Sequence, residues 1–183
     1  MSITINGNGT ISGYTPTTIS GQLATTNMPA GSVIQVQSGI ETSQEQKSAD
    51  QFTSGPEVAI QASSASNKIL IMGTISIGEG TGGDTHVFLY KDGNVVTGAI
   101  GIAGSSNATR STSGLSTGRQ AYDTQTSPVF YLDSPNTTSA VTYKIVAMCT
   151  NGPIALNRQQ NSNQDSDNDN SHISYITAME IKQ

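Results

Sequence analysis

Apolar and polar residues alternate with a period of two along most of the chain after residue 32. Because successive side chains of a strand point to opposite faces, this alternation predicts β-strands. The clearest case is NKILIMGTISIG, residues 67–78, where one predicted face carries Gly73 and four isoleucines. These are Ile69, Ile71, Ile75 and Ile77. The opposite face carries Leu70, Met72, Thr74 and Ser76.

The same reasoning predicts about nine short strands separated by turn residues. They lie in segments 31–39, 56–62, 67–78, 85–104, 127–133, 140–149, 152–158 and 172–182. Segment 85–104 holds two of them around Asp92-Gly93, a preferred centre of a type I′ hairpin because both positions need a positive φ. In segment 140–149, one face carries Val141, Tyr143, Ile145, Ala147 and Cys149. Segment 41–52 admits a short helix, although its apolar face is thin.

Short strands with turn chemistry between them are typical of an all-β, antiparallel β-sandwich, most simply a jelly roll. Residues 33–183 are therefore predicted to form one β-jelly-roll domain. Residues 1–32 have short Ile/Thr alternations broken by Gly and Pro, and almost no charge. We interpret them as an extended N-terminal arm, which can add a strand to a neighbour but cannot form a core of its own.

Composition excludes several classes of partner. Charged residues make up 11% of the 183 residues, and the net charge is −5 with 8 basic residues in no cluster. Binding to nucleic acid by counterion release needs such a cluster, so no nucleic-acid partner is expected. The longest apolar segment is too short to span a membrane, and no signal peptide is recognisable, so we expect no membrane insertion and synthesis in a host cytoplasm. The single cysteine, Cys149, is predicted to be a small core residue.

Gly78, Gly80 and Gly83 match the G-x-G-x-x-G spacing of dinucleotide-binding loops. That fingerprint works where the glycines lead from a strand into a helix whose N-terminus faces the phosphates. Here the following residues, DTHVFLYKDG, are rich in β-formers and contain no helix start. The glycines are therefore interpreted as a connection between two strands, and no cofactor is expected.

A polar loop, residues 157–172, contains Asp165, Asp167 and Asp169 at the first ligand spacings of an EF-hand. The sixth position is Asn170 where glycine is wanted, and the twelfth is Ile176 where a bidentate glutamate is required. A solvated acidic loop is the preferred interpretation of Asp165–Asp169, so no metal site is assigned.

Neither of the motifs H-E-x-x-H and G-x-x-x-x-G-K-[ST] occurs. A pair of carboxylates such as Asp123 and Asp133 cannot be placed across a groove from sequence alone. Tyrosines can line a sugar-binding surface, but Tyr122, Tyr131, Tyr143 and Tyr175 are expected to pack on strand faces with hydrated hydroxyls. No catalytic residue is assigned, and an enzyme is disfavoured.

Several fragments in order resemble a module of virion proteins from tailed phages, notably cyanophages and other aquatic phages. They are MPAGSVIQVQSG, SSASNKILIM, VFYLDSPNTTSAVTYKIVAMCTNGPIALNR and SYITAMEI, and together they span most of residues 28–183. The resemblance implies a β-jelly-roll module on the virion surface, in a homotrimer, within proteins labelled tail fibre or structural protein. It carries over no catalytic residue.

Three functions follow as hypotheses. The first is a non-enzymatic capsid decoration (cement) protein or short head fibre, whose arm attaches to neighbouring subunits such as the major capsid protein. The second is a tail-fibre or receptor-binding tip that recognises a host surface glycan or protein. The third, disfavoured by the missing motifs, is a glycan-active enzyme or lectin-like module.

Overall fold

The computed structural model describes residues 4–5, 11–12, 25–79, 84–102, 109–115, 123–161 and 171–183. Within these ranges the chain forms thirteen strands, two short 3-10 turns (Thr25–Asn27 and Thr97–Ala99) and no α-helix. The strands are β1 Thr4–Ile5, β2 Ile11–Ser12, β3 Val33–Glu41, β4 Glu45–Lys47, β5 Glu57–Gln61, β6 Lys68–Glu79, β7 Asp84–Lys91, β8 Asn94–Val95, β9 Ser113–Leu115, β10 Thr124–Asp133, β11 Ala140–Thr150, β12 Ile154–Leu156 and β13 Ser174–Ile181.

Two antiparallel sheets pack together, as the sequence predicts. In the first sheet, β6 is central: β10 pairs with one edge, and β13 followed by β12 pairs with the other. Strand β3 lies beyond β13, and β4 lies beyond β12. The second sheet has the order β5-β11-β7, with β8 and β9 both paired to the far edge of β7. The β-sandwich is confirmed, while the jelly-roll connectivity stays a prediction.

The core lies between the sheets and contains the residues that the alternation selects. The four isoleucines of the predicted inner face of β6 are fully buried, and so are Tyr143, Ile145, Ala147 and Cys149 on β11. The core role predicted for Cys149 is therefore confirmed. Gly73, between the isoleucines, leaves room for the Ile145 side chain, which would lie 2.7 Å from a Cβ at that position.

The Asp92-Gly93 hairpin is confirmed, because both residues have a positive φ, +49° and +77°. Its second strand is shorter than expected: β8 ends at Val95, and the 3-10 turn at Thr97–Ala99 follows. The prediction that the second strand continues through the rest of segment 85–104 is wrong for the described residues 96–102. The reason is that β9 takes the edge of β7 next to Thr85, His86 and Val87.

The possible helix in residues 41–52 is also wrong. This segment contains β4, which pairs with β12. The carboxylate of Glu45 accepts hydrogen bonds from the backbone N–H and the hydroxyl of Ser54 and forms an ion pair with Lys47 at 2.9 Å. These contacts hold the segment in an extended conformation against the sheet. A helix with a thin apolar face would bury less apolar surface at this place.

The end of the predicted arm contacts the end of β13. Gly31 N–H donates to the carbonyl of Lys182, whose own N–H donates to the carbonyl of Ser32. The ammonium of Lys182 also donates to the carbonyl of Thr25 at 2.9 Å. Residues 25–32 thus lie beside the sandwich, while the division of the chain into an arm at 1–32 and a domain at 33–183 stays a prediction.

The sheets meet closely at one lateral corner, where β3 approaches β5. A Cβ placed on Gly39 of β3 would lie 1.8 Å from the carbonyl oxygen of Glu57 on β5. Gln35 strengthens the same corner by donating from Nε2 to the carbonyl of Gln61 at 2.6 Å. Only glycine allows this backbone approach.

Gly39→Ala is therefore expected to destabilise the fold by about 3 kcal/mol, because the added methyl group meets backbone atoms that cannot rotate away. Gly101→Ala is the matched control, since nothing lies within 4 Å of a Cβ at Gly101. Chemical denaturation of the two variants measures the difference. Equal stabilities would contradict the close approach of β3 and β5.

Candidate functional site: the outer face of the first sheet

The central strand β6 is apolar on both of its sides. Its inner side enters the core, while Leu70 and Met72 point to the other side, away from the second sheet. The register places Phe130, Met72, Thr177 and Ser38 in one row across four strands. The next row holds Leu132, Leu70, Met179 and Val36, and the row on the other side holds Pro128, Thr74, Tyr175 and Ile40.

We call these three rows, with Lys68 and Ile181 beyond them, the outer face. Its side chains on the two flanking strands are strongly exposed: Phe130 to 68%, Ile40 to 66% and Val36 to 52%. Leu132 and Tyr175 are exposed to 47% and 45%. Singly exposed apolar residues are ordinary, but a contiguous apolar surface marks a site of interaction.

The second sheet shows what a covered face looks like in this molecule. Phe88 and Val146 lie on its outward side, yet both are buried to 6% exposure. Phe52 packs over this side, with its ring edge-on to Phe88 and Tyr90 at centroid distances of 5.6 and 5.9 Å. Among the described residues, Phe52 thus covers the apolar centre of the second sheet, and no side chain takes the equivalent place over Leu70 and Met72 of the first.

Charge is nearly absent from the outer face. Among the outward positions of its four described strands, Lys68 at the margin has the only formal charge. Four strands about 4.8 Å apart and seven residues long at about 3.4 Å per residue span a plane of about 450 Å². A largely apolar surface of this size, with one charge at its margin, is comparable to the largest patches found on monomeric proteins, which are often functional.

The two long edges of this sheet differ. Strand β10 carries Pro128 near its middle, which has no N–H to donate and is typical of an edge strand. At the opposite edge, the inner side of β3 packs on β5 at Gly39, as described above. Pro128 therefore disfavours the addition of a further strand along β10.

The inner side of the same four strands carries two buried carboxylates in one row. The register places Asp133 of β10 and Glu180 of β13 on either side of Ile69, and Gln35 of β3 follows. Glu180 is fully buried and Asp133 nearly so. Buried carboxylates need donors, and here the donors come largely from the second sheet and its loop.

Glu180 accepts four hydrogen bonds. Its Oε1 accepts from the backbone N–H and hydroxyl of Ser63, both at 2.7 Å, and from Asn67 Nδ2 at 2.6 Å. Its Oε2 accepts from Gln35 Nε2 at 2.6 Å. Burial by itself raises the pKa of Glu180, but these hydrogen bonds outweigh it and hold the pKa below the ordinary value. The carboxylate therefore ties β13 to the loop that follows β5.

Asp133 forms the second tie between the sheets. Its Oδ2 accepts from the hydroxyl of Tyr143 at 2.6 Å and from the ammonium of Lys91 at 2.9 Å. Burial, together with the hydrogen bond to Asp133, raises the pKa of Tyr143, so this phenol stays protonated. The hydrogen bonds of Glu180 and Asp133 thus join the first sheet to the second sheet and its loop, on the side opposite the outer face.

A third buried polar residue, Asn157, supports the other end of the sheet. Its side-chain amide donates to the carbonyls of Glu41 and Ser43 at 2.8 and 3.0 Å, and its Oδ1 accepts from the Ser174 hydroxyl at 2.7 Å. Asn157 thereby joins β12, β13 and the end of β3, at the point along β6 where its paired strand changes from β13 to β12. A groove of about 660 Å³ lies beside this junction, lined by Thr42, Gln44, Thr126, Ser171, His172 and Tyr175 among others.

The candidate sites from the sequence have mixed outcomes. Gly78 lies in β6, where a Cβ would come within 2.3 Å of the carbonyl oxygen of Arg158. The backbone near Arg158 can therefore pack closely on β6 because this residue is glycine. Gly80, Gly83 and the Asp165–Asp169 loop lie outside the described residues. Asp133 is brought to Tyr143 and Lys91.

Sequence reasoning missed the outer face and the carboxylate ties. A signal for the face was present, because Leu70 and Met72 interrupt a simple inner-outer alternation with apolar residues on both sides. The ties had no such signal, since Glu180 and Asn67 are 113 residues apart. In the described ranges, no three His, Cys, Asp or Glu side chains cluster as metal ligands, and no helix has the length and apolarity to cross a membrane.

No family model matches the sequence, and no curated protein matches it. Among solved structures, the chain is similar to one in the structure of infectious bursal disease virus Gx strain, with 11% identity and a TM-score of 0.34. The match covers 82% of this chain and 43% of the viral chain, so this chain spans less than half of that length. A likeness at this level carries no argument about function.

Glu180→Gln is expected to lower the free energy of unfolding by about 3 kcal/mol at neutral pH, because the new amide places a donor among buried donors. The native carboxylate has a lowered pKa, so its contribution is complete above the ordinary glutamate pKa of about 4.3 and is lost as the pH falls through the folded-state value. The variant should therefore show a shallower loss of stability on acidification, measured by urea unfolding between neutral pH and pH about 3.

The matched control is Glu57→Gln, which changes an exposed carboxylate in a 3.5 Å ion pair with Lys144. It should alter stability by less than about 0.5 kcal/mol. A Glu180→Gln variant as stable as this control would contradict the role of Glu180 as a tie between the sheets.

Proposed function

We propose that this chain is a non-enzymatic structural protein of a tailed-phage virion, a capsid-surface decoration protein or short head fibre. The observation that carries the proposal is the outer face, a largely apolar sheet surface with strongly exposed side chains such as Phe130 and Ile40, which no other described segment covers. Such a surface is unfavourable for a protein that acts alone in water and favourable for a subunit that is buried in an assembly.

The construction of the sandwich supports a mechanical role. Two buried carboxylates and Asn157 tie the strands at both ends of the first sheet. Their hydrogen bonds add geometric specificity to a core made of β-branched and aliphatic side chains. A rigid sheet presents the same surface to its partner every time, which repeated contacts on a particle require.

The sequence resemblance to tailed-phage virion modules gives the setting for this role. Residues 28–183 carry it, and they include all four strands of the outer face. The arm then supplies a second attachment, by extended segments that reach a neighbouring subunit such as the major capsid protein.

Deleting residues 1–24 tests this role of the arm. The shortened chain keeps the Lys182 contacts of residues 25–32, so it is expected to fold with unchanged thermal stability and to lose binding to particles that lack the native protein. Gold labelling in electron micrographs locates the bound full-length chain. Labelling absent from purified virions, or confined to the tail, would contradict a capsid decoration role, and undiminished binding of the shortened chain would contradict attachment by the arm.

A second candidate function is a receptor-binding tip, and the groove beside Asn157 favours it. Its lining of hydroxyls, an amide and the 45% exposed ring of Tyr175 suits a neutral glycan, since aromatic rings and hydroxyl donors match sugar faces and edges. Gln44 and Ser171 are already joined by a 2.8 Å hydrogen bond across its rim.

Purified protein that acts as a receptor-binding tip should bind host cells and block phage adsorption. The double variant Gln44→Ala, His172→Ala should abolish this competition, since both side chains line the groove. His86→Ala, on the second sheet, is the matched control. Absence of competition by the unmodified chain excludes this function.

A further inference from the structure

We infer that the outer face is covered by a second copy of this chain, packed face to face. This inference names the partner of the surface on which the proposed function rests. The candidates are another copy and a different virion protein, and three features of the described residues favour the copy.

The first feature is charge. The whole chain carries a net charge of −5, so two copies repel one another when they approach by their acidic surfaces. The three rows of the outer face contain no charged residue, and Lys68 stands at the margin. Two copies can therefore meet at this face without burying like charges. A partner chosen by charge complementarity would need charges here that the face does not have.

The second feature is area. Two faces of about 450 Å² in plane remove on the order of 1,000 Å² of accessible surface when they pack together, allowing for the relief of the side chains. This is the lower limit for a specific interface, so a dissociation constant in the micromolar range is expected. The outer face is thus large enough to hold two copies together without a further contact. It is also small enough that a separated copy is expected to stay folded.

The third feature is the arrangement of bulky and small residues. Phe130 and Ile40 are the most exposed apolar residues of the face and lie in adjacent rows on its two flanking strands, β10 and β3. The small residues Thr177 and Ser38 share the row of Phe130. Two such faces related by a two-fold axis can place each Phe130 over the small residues of the other copy. Since Pro128 disfavours the addition of a strand along β10, we expect the two sheets to stack by their outer faces.

The test is sedimentation velocity of the full chain over a concentration series from about 1 to 200 µM, around the expected dissociation constant. The unmodified protein is expected to associate. Phe130→Glu and Ile40→Glu, on the two flanking strands of the face, should each shift the midpoint to at least tenfold higher concentration, because each adds a charge to both copies. Their thermal stabilities should stay close to that of the unmodified chain, since both side chains are largely exposed.

Ile102→Glu is the control, because Ile102 is 100% exposed and lies outside the outer face. It should leave the association unchanged. Phe130→Tyr should also keep it, since the ring remains. A chain that stays monomeric up to 200 µM, or an association that the Ile102 and Phe130 variants weaken equally, would overturn the inference.

The same experiment separates this inference from the proposed function. If the chain is monomeric but is found on virions, the inference of a second copy is wrong and the virion role stands. Another virion protein would then cover the face. If the chain associates with itself but is absent from virions, the virion role is wrong and the self-association stands.

Discussion

A strand that is apolar on both sides has to be covered on both sides, and β6 is such a strand. Its isoleucines meet the second sheet, while Leu70 and Met72 lie at the centre of a surface flanked by Phe130, Leu132, Val36 and Ile40. The hydrophobic effect favours the removal of both sides from water, and within the described residues only the inner side is fully covered. The proposals made for the molecule depend on this imbalance.

The buried polar residues explain why the imbalance persists. A softer sheet could bend or open to shield Leu70 and Met72, but Asp133 and Glu180 fix the row beneath them through bonds to Tyr143, Lys91, Ser63 and Asn67. Breaking either tie would leave a buried charge without donors, which costs several kcal/mol. These hydrogen bonds therefore fix the first sheet against the second beneath the outer face.

Much of the fold could be predicted from the pattern of residues, because alternation specifies both a strand and the side that it buries. The inner faces of β6 and β11, the Asp92-Gly93 hairpin and the core position of Cys149 follow in this way. The short β4 could not be predicted, since its three residues gain their strand geometry from pairing with β12 and from Ser54. The shortened β8 likewise results from competition with β9 for one edge of β7.

The candidate site was less accessible from sequence, for a physical reason. Whether an apolar residue such as Phe130 is covered depends on which other segments pass over it, and period-two alternation does not contain that information. Phe52 illustrates the point: it lies in a segment with weak pattern, yet it covers Phe88 and Tyr90 on the second sheet. Coverage is decided by the tertiary path of the chain.

Methionine oxidation footprinting of the unmodified chain tests the central claim most directly, because the chain supplies its own reporters. Met72 and Met179 lie on the outer face, and Met148 lies on the outward side of the second sheet as an internal reference. The account predicts that Met72 and Met179 are oxidised readily in dilute solution and become protected as the concentration rises, while Met148 does not change. Oxidation of Met72 and Met179 that stays constant relative to Met148 at every concentration would contradict it.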